Sequence, residues 1–149
     1  MERVDISLLV GNIINEVALE LDEKHITVVN SLKKSIQIKG NYSLIYSIFR
    51  NLMDNAIKYN KEQGKVTVRI FQKDGEFGFS VKDTGIGIPL IHQDRIFERF
   101  YRVDKSRSKE IGGTGLGLSI VKHGVSCLGA KISVDSIQDE GSTFTVTWG

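Results

Sequence analysis

The chain has 149 residues, 40% of them apolar, and a formal charge of +2, which is the size of one domain with one core and gives no global pull toward nucleic acid or anionic lipid. Any anion must therefore be held by a local site. The single cysteine, Cys127, excludes an internal disulfide and a cysteine-built metal cage, and His25, His92 and His123 fall in no metal-ligand spacing.

Acids run through the apolar pattern of the first 25 residues, unlike a signal peptide, and no stretch has the length of a membrane span. Asp5 is placed to cap a helix in which Leu8, Leu9, Ile13, Val17 and Leu21 recur at three- and four-residue steps, ending near Lys24. Residues 26–29 and 36–38 are β-branched and short, and read as two strands, with Gly40 and Asn41 marking a turn and a cap. From Asn41 a second helix runs to about Tyr59, burying Ile45, Ile48, Phe49, Leu52 and Ala56.

Residues 65–71 and 77–81 alternate apolar and polar around an Asp74-Gly75 turn, the pattern of a hairpin. Residues 83–108 are rich in glycine and charge, with at most one short helix near 93–98. A third helix starts near Thr114, presents Leu118, Val121, Val125 and Leu128 on one face, carries Cys127 as a core residue and stops at Gly129. Gly124 in its middle costs about 1 kcal/mol against alanine and points to close packing. A second hairpin, 131–135 with 143–146, ends the chain. Hairpins and helices without a repeating strand-helix-strand alternation predict an α+β two-layer sandwich, with helices on one face of a mostly antiparallel sheet.

Three clusters carry chemistry. On the second helix Asn51, Asn55 and Lys58 form one polar ridge beside the buried stripe. Neutral carboxamide oxygens suit Mg²⁺ whose charge is balanced by phosphates, and a lysine suits the phosphates; a solvated helix face has the same spacing. Asp83-Thr84-Gly85-Ile86-Gly87-Ile88-Pro89 follows a strand, where a carboxylate can accept a hydrogen bond from an exocyclic amine and glycines let backbone approach a planar ring. An aspartate-capped turn accounts for it equally. Gly112, Gly113, Thr114, Gly115, Leu116, Gly117 and Leu118 lead into the third helix, and the exposed N–H groups of such a helix start form a phosphate cradle. Neither a P-loop nor G-x-G-x-x-G fits their spacing. Between the glycine clusters lie Arg95, Arg99, Arg102, Lys105, Arg107 and Lys109, cations that can neutralise a triphosphate from a closing segment or simply line a solvated loop; Arg102 and Lys105 stand out.

Taken in order, NLMDNAIKYN (51–60), DTGIGIP (83–89), FERFYRVD (97–104) and GGTGLGLSIVK (112–122) resemble the N, first glycine, F and second glycine boxes of sensor histidine kinases. The resemblance implies the Bergerat ATP-binding fold, a mixed sheet of about five strands on about three helices with a mobile ATP lid, shared with DNA gyrase, mismatch-repair ATPases and a heat-shock chaperone. It implies ATP and Mg²⁺ as ligands. Asn55 resembles the Mg²⁺ ligand and Asp83 the acceptor of the adenine amine, with Gly85, Gly87 and Ile88 beside the base. Lys58, Tyr59, Tyr101 and Arg102 would line the nucleotide, Gly113 to Leu118 would face the phosphates, and Thr143 matches a position near the adenine. Asn51 stands where the related ATPases resemble one another in a water-activating glutamate; an amide cannot take that proton, so slow hydrolysis and a kinase follow, with Asn51, Arg102 and Lys105 as catalytic residues.

The family's phosphoacceptor histidine sits in a His-Glu motif on a helical dimerisation domain, and none of the three histidines here has that context. The resemblance therefore implies a cytoplasmic catalytic domain of 1–149, monomeric by itself. The parent would be a homodimeric bacterial membrane kinase that phosphorylates its own histidine and relays to a response regulator. A regulatory docking module that only binds ATP, a serine kinase and a free ATPase share the same motifs.

Overall fold

The computed structural model describes residues 2–31, 36–98 and 117–148. In chain order they form β1 (Glu2–Asp5), α1 (Ile6–Glu16), α2 (Ala18–Glu23), β2 (Thr27–Asn30), β3 (Gln37–Gly40), α3 (Tyr42–Lys58), β4 (Lys65–Lys73), β5 (Glu76–Asp83), a 3₁₀ turn (Leu90–His92), α4 (Gly117–Leu128), β6 (Lys131–Ile137) and β7 (Gly141–Trp148). The main sheet has the order β2-β4-β5-β7-β6, with β2 parallel to β4 and every other pair antiparallel. The expected α+β sandwich and its five-stranded mixed sheet are present.

Both expected caps form. The Asp5 carboxylate accepts the Leu8 N–H at 3.0 Å and the Asn41 carboxamide oxygen accepts the Leu44 N–H at 3.1 Å, each satisfying a donor that the first helical turn leaves open. The two hairpins also form as read, with Asp74 and Gly75 both in the left-handed region (φ 54° and 81°).

Cross-strand register decides what the helices cover. Val66, Val68 and Ile70 of β4 oppose Asp83, Val81 and Phe79, and Val81 and Phe79 in turn oppose Phe144 and Val146 of β7. Directly opposed residues share a face, so this row packs under α1, α3 and α4. Phe49 of α3 meets Phe79 edge-on at 5.5 Å, and Trp148 closes the same cluster at 5.9 Å from Phe79. Burial of Phe49 or Phe79 is worth roughly 2–3 kcal/mol each. Gly124 lies against α3, where an added Cβ would stand 3.0 Å from Ile48 Cγ1, so the mid-helix glycine marks the close packing expected of it.

Three expectations need correction, and one strand is added. The first helix is broken at Val17 (φ −102°, ψ 13°), although the bonds Val17 N–H to Ile13 O and Leu21 N–H to Val17 O carry the period across. Val17 and Leu21 stay buried, but Leu8 is 62% exposed, because Ile6, Leu9, Val10 and Ile13 take the buried stripe of α1. The strands near 26–29 and 36–38 form as read, β2 joining the main sheet and β3 pairing with β1, a strand the sequence had not suggested. In place of a helix at 93–98 the chain makes the 3₁₀ turn one step earlier, then i→i−3 bonds from Arg95 to His92 and from Glu98 to Arg95. Cys127 is exposed beside His123, because Val121, Gly124, Val125 and Leu128 take the buried stripe of α4.

Candidate functional site

The site lies where α3 ends, β5 ends and α4 begins. Asp83 is the last residue of β5, and the alternation that buries Phe79 and Val81 carries its carboxylate inward too, leaving it 6% exposed at the end of an apolar row. One oxygen, Oδ1, accepts the N–H of Gly85 at 2.9 Å and the N–H of Ser142 at 3.3 Å. Burial pushes the carboxyl up to about 6, and the two backbone donors only partly oppose that. Oδ2 is left for an outside donor.

Two networks hold the loop after Asp83. On the α3 side, the Ile86 N–H bonds Tyr59 O at 3.0 Å, and Gly85 lies so close that a Cβ would stand 2.0 Å from the same carbonyl oxygen. Buried Asn60 completes this contact: its Oδ1 accepts from the Thr84 hydroxyl at 3.0 Å and the Lys61 N–H at 2.9 Å, and its Nδ2 donates to Lys65 O at 3.1 Å. On the β6–β7 side, the Ser136 hydroxyl accepts the Ile88 N–H at 2.7 Å, and the Gln93 amide donates to Ile88 O and Ser136 O. Gly87 (φ 66°) backs onto Ile137 O, and Gly141 (φ 129°) onto Asp83 O; a Cβ at either would stand 2.1 Å from that oxygen. The glycines are thus required for close backbone approach, and the pocket rim is built before any ligand arrives.

Asn51, Asn55 and Lys58 share one ridge of α3 as expected, with both asparagines half-buried and Lys58 exposed. The Asn51 Nδ2 donates to Ser47 O at 2.7 Å, which turns its Oδ1 toward the first turn of α4, where a Cβ on Gly117 would meet it at 3.4 Å. Gly117 and Leu118 occupy that turn, with Leu118 packed against the core. Tyr59 is the C-cap of α3, and Ile88 packs on the core beside the loop. Among the described residues, then, Asn51, Asn55, Tyr59, Asp83, Gly85, Gly87, Ile88, Gly117 and Leu118 all belong to the rim formed by α3, the β5 loop and α4. Tyr101, Arg102, Lys105, Gly113, Thr114, Gly115 and Leu116, and with them the lid, lie outside the described residues.

Thr143 is not brought to the site. It pairs with Lys82 on the opposite face of the sheet, and the residue aimed at Asp83 is its neighbour Ser142, 6% exposed, with its hydroxyl 2.8 Å from that of Ser136. Strand alternation held the signal for this: Phe144 must face the core, and the residue two before it shares that face. Asn60, Ser136 and Gln93 were also missed, since each acts through a partner distant in sequence.

The carboxamide oxygen of Asn55 is neutral, half-buried and engaged in none of the hydrogen bonds among the described residues, a donor that fits a hard cation whose charge is balanced by phosphates. No group of three or more metal-ligating acids, histidines or cysteines exists among the described residues, so such a cation would be held mainly by its own anionic ligand.

Residues 40–149 match the family model described as histidine kinase-, DNA gyrase B-, and HSP90-like ATPase. The chain is 44% identical over 111 residues to the phosphate regulon sensor protein PhoR of Pseudomonas aeruginosa, covering 74% of this chain and 25% of that protein. It is 41% identical over 128 residues to the sensor histidine kinase WalK of Bacillus subtilis (84% and 21%), and 35% identical over 147 residues to the sensor-like histidine kinase SenX3 of Mycolicibacterium smegmatis (99% and 38%). It therefore spans well under half the length of these relatives. Among solved structures, the mycobacterial sensor histidine kinase MprB superposes with a TM-score of 0.81 at 28% identity, covering 98% of this chain and 96% of that one. Full-length ShkA in complex with AMPPNP superposes with a TM-score of 0.81 at 29% identity, over 98% of this chain and 30% of that one. On the matched sequence, the superposed fold and the rim built around Asp83, the chain belongs to the histidine kinase-, DNA gyrase B- and HSP90-like ATPase family, as a catalytic ATPase domain of the sensor histidine kinase type.

Proposed function

We propose that the chain binds ATP with Mg²⁺ and positions the γ-phosphoryl group for transfer to a histidine on a separate dimerisation domain of its parent protein. The observation that carries the reading is Asp83: a buried carboxylate with one oxygen fixed by two backbone donors and the other free, at the end of a rim that glycines keep open. A carboxylate so placed selects a ring bearing an exocyclic amine, and the flat backbone at Gly85 and Gly87 admits the ring. Asn55 offers the cation an oxygen, which when bound neutralises phosphate charge; Lys58 and the α4 N-terminus add positive potential to the phosphate end.

Asn51 cannot act as a base, so nothing at its position activates water, and the nucleotide is held until a better nucleophile arrives. Transfer forms a bond from an imidazole nitrogen to the γ-phosphorus and breaks the bond to the β-phosphate oxygen, with ADP leaving and the imidazole proton passing to solvent. Arg102 and Lys105 are the cations proposed to close on the phosphates. The parent, on this reading, is a homodimeric membrane kinase with the present domain in the cytoplasm, relaying to the aspartate of a response regulator. No helix among the described residues is long and apolar enough to cross a membrane.

The test supplies a histidine-bearing dimerisation domain from the parent protein with γ-labelled ATP. Alkali-stable, acid-labile label should appear on that domain with the wild-type chain and vanish with Asn55→Ala or Asp83→Ala variants that stay folded. Normal transfer by both variants removes the site assignment; ATP binding without any transfer leaves a regulatory docking module.

A further inference from the structure

Outside the rim, one half-buried cation stands out. Lys24 ends the α2 turn, far in sequence from the site, yet its ammonium donates to three carbonyls of a single segment: Ile57 O at 2.9 Å, Lys58 O at 2.8 Å and Asn60 O at 3.3 Å. These belong to the last turn of α3 and the cap that follows, where a helix runs short of intrahelical N–H partners for its carbonyls and its dipole is negative. The main chain joins in, since Gln63 N–H bonds Lys24 O at 2.9 Å and Thr27 N–H bonds Gly64 O at 3.0 Å. Between Lys58 and Asn60 sits Tyr59, whose carbonyl receives the Ile86 N–H and lies against Gly85. The carbonyls on either side of the one that docks the base-binding loop are therefore held by one side chain.

We propose that Lys24 is a positioning residue for nucleotide binding: by clamping the carbonyls of Lys58 and Asn60 it fixes the Tyr59 carbonyl on which the Asp83–Gly85–Ile86 loop docks. The proposal rests on the ATP reading given above and adds to it a residue outside all four motifs. Its geometry explains why a lysine occupies this place. An apolar side chain could fill the space, but it offers no donors to the three carbonyls splayed around a helix end, whereas a cationic side chain offers three or more. Burial lowers the lysine's pKa against the opposing pull of Glu62, so the site keeps a charge that desolvation disfavours.

The experiment compares the whole chain carrying Lys24→Met, Lys24→Arg or the core control Ile13→Val, the last in α1 and remote from the loop. ATP binding is read by calorimetry with Mg²⁺, stability by urea unfolding, and local opening by amide hydrogen exchange at Asn60 and Ile86. Lys24→Met should weaken ATP binding about tenfold, the scale of losing one charge-assisted contact, and speed exchange at both amides. Lys24→Arg should recover much of the loss. Ile13→Val should lower the urea midpoint and leave ATP affinity within about twofold of wild type. Unchanged affinity in Lys24→Met, or equal weakening in Ile13→Val, overturns the proposal. A wild-type chain that binds no ATP would instead sink the nucleotide reading; exchange at Ile86 still decides the Lys24 clamp, and unaltered protection there refutes it.

Discussion

Replacing Asp83 by asparagine should make the protein more stable and weaken its binding of ATP. The carboxyl is pushed up from 3.8 to about 6 by burial, and a rise of about two pK units corresponds to roughly 3 kcal/mol, since each unit is worth 1.36 kcal/mol. The sign follows from proton uptake. Between about pH 4 and pH 6 the folded state holds the proton that the unfolded state has released, so stability falls as pH rises through this window and levels off above it. Asparagine keeps an oxygen for the Gly85 and Ser142 N–H groups and never ionises, so Asp83→Asn escapes the penalty. Its gain should approach ~3 kcal/mol at pH 7.5 and shrink toward zero near pH 4. Equilibrium urea unfolding followed by the fluorescence of Trp148, the only tryptophan, measures the difference at both pH values. A variant that is less stable than wild type at pH 7.5, or equally displaced at both, refutes the reasoning that the charge is held there against the fold's preference.

The other predictions address the rim and the sheet. Gly85→Ala puts a Cβ 2.0 Å from Tyr59 O and 2.8 Å from Asn60 Cα, backbone that cannot yield, so the loop should shift and ATP binding should be lost at a stability cost of about 1–3 kcal/mol, read by calorimetry and urea unfolding. Asn60→Ala removes the amide that bonds Lys65 O, the Thr84 hydroxyl and the Lys61 N–H, and should cost about 1–3 kcal/mol in the same unfolding assay. Phe71→Ala uncovers Gly78, over which the ring lies on the outer sheet face; it should cost about 0.5–1 kcal/mol and leave nucleotide affinity unchanged.

Local features were legible in the sequence for local reasons. Asp5 and Asn41 were readable as caps because a cap and the N–H it accepts lie within one turn, and Asp74-Gly75 was readable because a tight hairpin needs left-handed residues at its centre. The buried stripe of α3 followed from its period. What escaped depends on partners far along the chain: β3 pairs with β1 across two helices, and β2 lies parallel to β4. Val17 breaks its helix without glycine or proline. Cys127 was misread because cysteine is usually buried, although the stripe defined by Val121, Val125 and Leu128 already excluded it. Within the site, the motifs marked Asp83 and the glycines but pointed to Thr143, whereas the residue that bonds Asp83 is Ser142, and they could not show Lys24 at all, since three carbonyl acceptors leave no trace in residue types.

The most direct test of the account compares ATP with ITP, which carries an exocyclic carbonyl oxygen in place of the exocyclic amine, in calorimetric titrations of the chain with Mg²⁺. Binding of ATP with little or no binding of ITP, and loss of that preference in Asp83→Asn, is the predicted result. Equal binding of the two nucleotides, or an unchanged preference in the variant, would contradict the assignment of Asp83 as the group that reads the base.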